Sequence, residues 1–330
     1  MKKIVSVFLS FFMLVLSALP ASAISISKGN SALNEQMLDG QHGSQDYVYF
    51  SPVKGNSDST KYPLLVWLHG AMSGYQKREQ LGSYKFSNWA SDEYQARFEN
   101  AGGCFLLAPR STGLVSSWDA TQCSTLKATI DAFIAENKDH IDTDRIYIAG
   151  YSTGGVMVWD MLSAYPDFFA AAMPLAAITQ PTISTINKLS DVSVWIMSSD
   201  NDPYAGATST LAKNTYNSLA KITNRKEGVR ITTFSKAVFA SGNTKNGHYI
   251  WEAVTFDMHM NDGKTPYLYT TTTDAAGNTI TFDESTKGVI TWLSAQQRPT
   301  SDEDTGKLNF FQKLMNAIKN LIAKIMALFS

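Results

Sequence analysis

Short, nearly continuous apolar runs are the strongest pattern along this chain of 330 residues. Runs that are apolar at successive positions, rather than at every second position, are typical of strands covered on both faces of a parallel sheet. The pattern predicts β-strands over residues 47–50, 64–68, 104–108, 145–149 and 192–197.

Segments with helical character lie between and after these runs, over residues 125–137, 155–165, 209–221 and 287–297. Strands that alternate with helices indicate a doubly wound α/β fold, with a mostly parallel sheet and helices on both faces. Residues 267–273 and 279–283, joined by a turn, predict an antiparallel hairpin added late in the domain.

The first 23 residues have the pattern of an export signal. Lys2 and Lys3 precede an apolar run over residues 4–19, and the Ala-Ser-Ala sequence at 21–23 fits a signal-peptidase site. The run is short for a membrane span, and no cysteine follows it for lipid attachment. We therefore expect a secreted, extracellular or envelope-associated protein whose main domain covers residues 24–298.

A different composition begins after this domain. Residues 299–306 are polar and include Pro299, which predicts a linker, and residues 307–330 predict an amphipathic helix with lysines off its apolar face. A basic helix with a wide apolar stripe can lie in a membrane interface. It can equally pack on its own domain or pair with a second copy. Membrane-surface association and self-association through this helix both stay open.

Charge and cysteine content narrow the function classes. The formal net charge of −1 argues against nucleic acid as a partner. The five histidines are scattered, and no Cys/His pair has the spacing of a zinc site, so we expect no metal and no cofactor. In an exported protein the two cysteines, Cys104 and Cys123, either form a disulfide or remain separate buried thiols. The sequence does not choose between these, because it does not give the distance between them.

The segment from Gly150 to Gly154, read as GYSTG, carries the clearest chemical signal. It ends a predicted strand and opens a predicted helix, which is the context in which the serine of a G-x-S-x-G sequence becomes a nucleophile. The tight turn needs glycine on both sides because larger side chains would clash, and it lifts the serine hydroxyl above the sheet. We therefore predict a serine hydrolase with Ser152 as its nucleophile.

A serine nucleophile needs a base and an orienting carboxylate, which in this fold follow the serine in the order acid, then histidine. That order leaves His248 and His259 as possible bases. We favour His248, which a flexible glycine precedes in a predicted loop, over His259, which lies between methionines. For the acid we favour Asp202, because the proline after it fixes a turn at the end of a predicted strand. Asp200 in the same turn remains a competitor.

The oxyanion of an acyl-transfer reaction needs preorganised N–H donors. One is expected to be the backbone N–H of Thr153, directly after the nucleophile at a helix start. The other is expected from the loop that follows the strand at 64–68, at Ala71. Gly70 allows a close backbone approach there, and His69 is expected to form hydrogen bonds within the loop rather than to act as a base.

These motifs together resemble the secreted prolyl-oligopeptidase-like α/β-hydrolases, a group related to feruloyl esterases and polyhydroxybutyrate depolymerases. The resemblance runs over residues 47–297 and includes the segments LVWLHGA, FLLAPR, IDTDRIYIAGYSTGG and GHYIWE. It implies an α/β-hydrolase fold with Ser152, Asp202 and His248 as nucleophile, acid and base. Two positions depart from the pattern: HGAMSG stands where HGAG is common, and Ser198-Ser199 stands where His-Gly commonly precedes the acid turn.

The expected activity is hydrolysis of carboxylic esters through an acyl-enzyme on Ser152. The related esterases imply a small-molecule or polysaccharide ester, such as an acetyl or feruloyl ester, as substrate. Trp118 and Trp251 are candidate substrate contacts, although large aromatic side chains lie more often in a core. Two alternatives stay open: a serine peptidase of the prolyl-oligopeptidase-like type, and a non-catalytic envelope-binding module built on the same scaffold.

Overall fold

The computed structural model describes residues 35–55, 57–71, 86–113, 117–235, 237–238, 244–258, 270–280 and 288–299. The predicted export signal, most of the predicted linker, the predicted C-terminal helix and His259 lie outside the described residues. No helix in these ranges combines the length and the hydropathy that a membrane crossing requires.

Strands and helices alternate through most of the described chain. The strands β1 to β12 are, in order, Leu38–His42, Gln45–Phe50, Tyr62–Leu68, Phe105–Pro109, Ile141–Tyr151, Ala171–Leu175, Ser193–Ser199, Arg230–Phe234, Ala237–Val238, Thr244–Lys245, Thr270–Asp274 and Thr279–Ile280. The α-helices α1 to α7 are Asp92–Gln95, Cys123–Glu136, Thr153–Ala164, Ile183–Ile186, Ser209–Ile222, Trp251–Thr255 and Val289–Ser294.

Ten of the strands form one sheet in the order β1-β2-β4-β3-β5-β6-β7-β8-β11-β12. The strands from β4 to β8 in this order run parallel to their neighbours. Antiparallel pairs extend the sheet at both edges. In such a sheet ligands bind beyond the carboxyl ends of the parallel strands, which is where β5 and β7 deliver the predicted nucleophile and acid.

Two apolar layers cover the central strands, and this explains their continuous apolar sequences. On one face, side chains such as Leu65, Trp67 and Trp195 pack with α6, α7 and the 3₁₀ segment Phe86–Ala90. On the other face, alternate residues such as Leu64 and Val66 pack with α2, α3 and α5. The fold predicted from the sequence, an α/β-hydrolase fold with helices on both faces, is confirmed.

The sequence pattern missed three strands of the main sheet, β1, β6 and β8. Strand β6 reads AAMPL, and alanine and proline are poor strand formers. Strand β8 reads RITTF and lacks a continuous apolar run, although four of its five side chains are buried. The predicted hairpin is present as β11 and β12, and its outer ends lie outside the described residues.

Candidate active site

Ser152 lies in the sharp turn between β5 and α3, with φ 57° and ψ −121°. A non-glycine residue rarely adopts a positive φ, and the surrounding structure must hold it there. The Ser152 N–H donates to the carbonyl of Leu175 at the end of β6, at 3.0 Å. This bond ties the strained turn to the next strand of the sheet.

The glycines of the turn are required by close backbone contacts. A methyl group on Gly150 would lie 2.5 Å from the carbonyl oxygen of Gly154. A methyl group on Gly154 would lie 2.3 Å from the carbonyl oxygen of Leu68 and 2.4 Å from that of His69. Because these atoms are backbone, they cannot move aside without displacing α3, the end of β3 or the residue after it. Helix α3 therefore begins directly against the end of β3.

The structure brings the three predicted side chains into one hydrogen-bonded row. The Nε2 atom of His248 lies 3.0 Å from the Oγ atom of Ser152. The Nδ1 atom of His248 lies 2.8 Å from the Oδ2 atom of Asp202, whose side chain is fully buried. With Nδ1 protonated and facing the carboxylate, Nε2 is free to accept the serine proton. This is the geometry of a serine nucleophile, a general base and an orienting acid.

The two aspartates of the turn after β7 have separate roles. Asp202 accepts from His248, and its Oδ1 atom also accepts from the N–H of Tyr204 at 2.9 Å. Asp200 is exposed, and its carboxylate accepts instead from the hydroxyl of Ser209, the first residue of α5. The geometry therefore supports Asp202 as the triad acid.

A backbone hydrogen bond anchors His248, and two aromatic rings lie beside its imidazole. It lies in the 3₁₀ segment Gly247–Tyr249, and its N–H donates to the side chain of Asn246 at 2.9 Å. The indole of Trp251 meets the imidazole edge-on, with ring centroids 5.6 Å apart. The phenol ring of Tyr204 lies nearer, with its centroid 4.4 Å from that of the imidazole.

One residue predicted to bind the oxyanion directly follows the nucleophile, and the residue before the other passes close to it. Thr153 is the first residue of α3, so its N–H is among those with no acceptor inside the helix. Gly70 passes so close that a methyl group on it would lie 3.1 Å from the Cβ atom of Ser152. Ala71 follows directly and is exposed. The roles of Thr153 and Ala71 as donors stay a prediction.

His69 is buried and bridges two loops at the carboxyl end of the sheet. Its Nε2 atom accepts from the N–H of Ser111 at 3.0 Å, so the proton is on Nδ1, which donates to the carbonyl of Gly70 at 2.6 Å. Burial lowers the pKa of His69 to about 4, and the positive charge of Arg110 acts in the same direction. His69 is therefore a neutral structural residue that shapes the loop leading to Ala71.

Both tryptophans predicted as substrate contacts are buried in the structure. Trp118 is 4% exposed and packs against the ring of His69, with centroids 5.3 Å apart. Trp251 is 3% exposed and lies between Tyr151 and His248. Trp118 packs against the loop of His69, and Trp251 packs against the nucleophile turn and the catalytic histidine. Neither ring presents a face to a substrate.

The two cysteines do not form a disulfide in the structure. Cys104 and Cys123 are free and buried, and burial raises the pKa of the Cys104 thiol well above its ordinary value and that of Cys123 to about 11. The described residues include no group of three histidine, cysteine, aspartate or glutamate side chains able to hold a metal ion.

Tyr204 is a residue of the site that the sequence pattern did not indicate. It is 54% exposed, whereas the other aromatic ring against His248, that of Trp251, is buried. The available signal was its position directly after the Asp-Pro pair of the acid turn. Its closeness to His248 depends on two segments that are far apart in the chain.

The sequence matches the model of the prolyl oligopeptidase family over residues 116–231. This range includes Ser152 and Asp202. A poly(3-hydroxybutyrate) depolymerase from Ralstonia pickettii is 26% identical over 175 residues, which are 47% of this chain and 34% of that protein. The chain thus spans about a third of the length of the depolymerase that it matches.

A solved structure of a thermostable esterase is similar in fold. It has 25% sequence identity and a TM-score of 0.55, and the match covers 68% of this chain and 61% of the esterase chain. The family match, the strained serine turn and the sheet order agree with one another. Over residues 116–231 the chain is similar to the prolyl oligopeptidase family, and its fold is that of the α/β-hydrolases.

Proposed function

We propose that this protein is a serine hydrolase that cleaves carboxylic esters through an acyl-enzyme. The observation that carries the proposal is the row formed by Ser152, His248 and Asp202, with contacts of 3.0 Å and 2.8 Å. A serine hydroxyl is a weak nucleophile until an adjacent base takes its proton, and the base works only in the correct tautomer. The contacts of His248 with Ser152 and Asp202 support both conditions.

The first half of the reaction transfers the acyl group to the enzyme. As the Oγ atom of Ser152 attacks the ester carbonyl carbon, its proton passes to Nε2 of His248. The carbonyl oxygen becomes an oxyanion, which the N–H groups of Thr153 and Ala71 stabilise. The intermediate then collapses, the bond to the alcohol oxygen breaks, and His248 gives its proton to the departing alcohol.

The second half releases the acid. Water enters in place of the alcohol, and His248 takes a proton from it as the water oxygen attacks the acyl carbon. The bond to Ser152 breaks, and the proton returns from His248 to the serine oxygen. The carboxylate of Asp202 stabilises the imidazolium form of His248.

The site assignment is tested by paired variants in a p-nitrophenyl acetate assay. Ser152→Ala is expected to lower kcat about 10⁴-fold or more. Asp202→Asn is expected to lower it by a similar factor, because the wrong tautomer of His248 is then favoured. Asp200→Asn, in the same turn, is the matched control and is expected to retain activity. Equal losses for the two aspartate variants would contradict the assignment of the acid.

For the substrate class we propose acetyl or feruloyl esters of plant-type polysaccharides. The proposal rests on the resemblance to feruloyl esterases noted from the sequence motifs. Ser152-dependent hydrolysis of methyl ferulate and of acetylated xylan, measured beside p-nitrophenyl acetate, tests it. Turnover of the p-nitrophenyl ester alone would remove the polysaccharide assignment and leave the esterase assignment intact.

A peptidase is the second candidate, because the matching family model is that of the prolyl oligopeptidases. The same triad cleaves amides when the leaving amine is protonated by the histidine. A peptide anilide assayed in parallel separates the two functions. Ser152-dependent cleavage of the anilide without ester turnover would favour the peptidase.

The location of the protein is a separate proposal. We propose export directed by residues 1–23, and surface association of the mature chain through the predicted helix at residues 307–330. Cell fractionation of the full chain tests export. Flotation with liposomes, with and without residues 307–330, tests surface association. Equal flotation of both forms would contradict the role of this helix.

A further inference from the structure

The ring of Tyr204 is an exposed aromatic surface beside His248, the general base of the triad. It is 54% exposed, and its centroid lies 4.4 Å from that of the His248 imidazole, with the two planes inclined by 51°. Apolar side chains as exposed as this one are few in the described chain. Here the exposed ring lies where the chemistry takes place.

The backbone of Tyr204, rather than its ring, supports the triad acid. Its N–H donates to the Oδ1 atom of Asp202 at 2.9 Å, and this bond does not depend on the side chain. Pro203 before it restricts the same turn. The turn therefore fixes the position of the Tyr204 backbone. The side-chain ring remains available for contact with a substrate.

The chemistry of the triad decides which part of a substrate meets this ring. His248 gives its proton to the oxygen of the departing alcohol, so that oxygen must lie close to Nε2. The atoms beyond this oxygen then lie on the His248 side of the site, where Tyr204 is exposed. The acyl part is attached to Ser152 instead.

We propose that Tyr204 is a specificity-determining residue that binds the alcohol part of the substrate, and that it selects alcohols with a flat, ring-shaped apolar face. An aromatic ring stacks on such a face in an offset or tilted arrangement. Aryl alcohols and sugars both offer this face. The inference rests on the proposed esterase function and adds the part of the substrate that the enzyme recognises.

Two isomeric esters separate the alcohol side from the acyl side. Benzyl acetate carries its ring on the alcohol, and methyl phenylacetate carries the same ring on the acyl group. Tyr204→Ala is expected to lower kcat/KM for benzyl acetate about fivefold to tenfold, mainly through KM, because one ring stacking contact is lost. The kcat/KM of this variant for methyl phenylacetate is expected to stay within about twofold of the wild-type value. Tyr204→Phe keeps the ring and is expected to retain the preference.

Two further controls complete the design. Leu38→Ala removes a side chain of similar exposure, 48%, from the edge strand β1 and is expected to change neither ester. 6-O-Acetylglucose beside benzyl acetate shows whether the sugar or the aryl face is preferred. If Tyr204→Ala lowers kcat/KM equally for the two isomeric esters, the proposal is overturned, because the ring would then act only by positioning His248.

Binding without turnover separates this inference from the proposed function. If the wild-type protein shows no Ser152-dependent ester hydrolysis, the esterase assignment fails. Benzyl alcohol binding to Ser152→Ala, followed by NMR, then tests the ring surface alone. Binding that is lost in the Ser152→Ala, Tyr204→Ala double variant supports the surface, and equal or absent binding in both proteins overturns it.

Discussion

The indole of Trp251 stacks on the ring of Tyr151, with ring centroids 4.2 Å apart and the planes inclined by 22°. Tyr151 directly precedes the nucleophile, and Trp251 also meets the imidazole of His248 edge-on. One buried side chain thus contacts both segments that must align for proton transfer. It fixes the distance between them through packing rather than through a hydrogen bond to either catalytic atom.

Replacing Trp251 is therefore expected to affect stability and catalysis together. Trp251→Ala should cost about 3–5 kcal/mol of the free energy of unfolding, as expected for a large buried aromatic side chain. It should also lower kcat on every ester by a similar factor, because the alignment of His248 is lost. Trp251→Phe keeps part of the stacking and should show smaller losses in both.

Urea unfolding and assays on two or more esters measure these effects. A loss confined to one ester, with stability unchanged, would show instead that Trp251 contacts the substrate as the sequence analysis predicted.

The low pKa of His69 predicts that the folded protein loses stability in mild acid. Its pKa is about 4 in the folded protein, where burial disfavours the charged ring, against 6.5 for an ordinary histidine. Between these values the unfolded chain binds more protons than the folded one, so stability falls as the pH falls from 6.5 to 4. The contribution over this window is about 3 kcal/mol.

The substitution His69→Gln removes this titration. The stability of the variant protein should therefore depend less on pH over the same window. Urea midpoints of the two proteins between pH 6.5 and 4 measure the difference. Parallel curves would contradict the neutral, buried state of His69.

The raised pKa of Asp257 predicts a contribution to stability whose pH dependence is opposite in sign to that of His69. It follows α6, accepts from the N–H of Ile290 in α7 at 2.7 Å, and pairs with Arg97 at 2.7 Å. Burial nevertheless raises the pKa of Asp257 from 3.8 to about 6. The folded protein then binds more protons than the unfolded chain between these values, so this group's stabilisation is greatest in acid and falls as the pH rises through about 6.

In the wild-type protein this contribution opposes that of His69. Asp257→Asn removes it and keeps an oxygen for the Ile290 N–H. The variant's stability should therefore rise more steeply than that of the wild type as the pH increases from about 4 to 6. Urea midpoints across this window test the change, and an unaltered slope would show that Asp257 is ionised throughout.

The two cysteines predict a simple result in a thiol titration. Both are free and buried, and burial raises the pKa of both thiols, which keeps them protonated and unreactive. Protein purified without reductant should react slowly with a disulfide reagent when folded and should yield two thiols per chain in concentrated urea. Absence of titratable thiol in urea would reveal a Cys104–Cys123 disulfide instead.

Much of the site could be predicted because its signals are local. The GYSTG turn must have glycine on both sides of the serine, and the order acid, then histidine, reduced five histidines to two possible bases. The choice between Asp202 and Asp200 could not be made in this way, since both lie in one turn and differ only in what their carboxylates meet. Asp202 meets His248, whereas Asp200 meets Ser209.

The roles of the aromatic residues were also beyond the sequence. The sequence left open whether Trp118 and Trp251 contact the substrate or lie in the core. Both are buried, because His69 packs against Trp118 and Tyr151 packs against Trp251. Tyr204 carried little signal, yet it is the exposed ring beside the base. Burial depends on which distant segments meet, and a pattern within one segment does not report it.

The sequence by itself determined the alternation of strands and helices, the doubly wound α/β class and the serine turn. Each of these follows from backbone sterics and from the spacing of apolar residues within a few positions. The tertiary structure alone decided the addition of β1, β6 and β8 to the sheet, the carboxylate that faces His248, the free state of the two thiols and the ring that faces solvent. These features depend on contacts between residues far apart in the chain, which form only when the sheet and its two layers pack together.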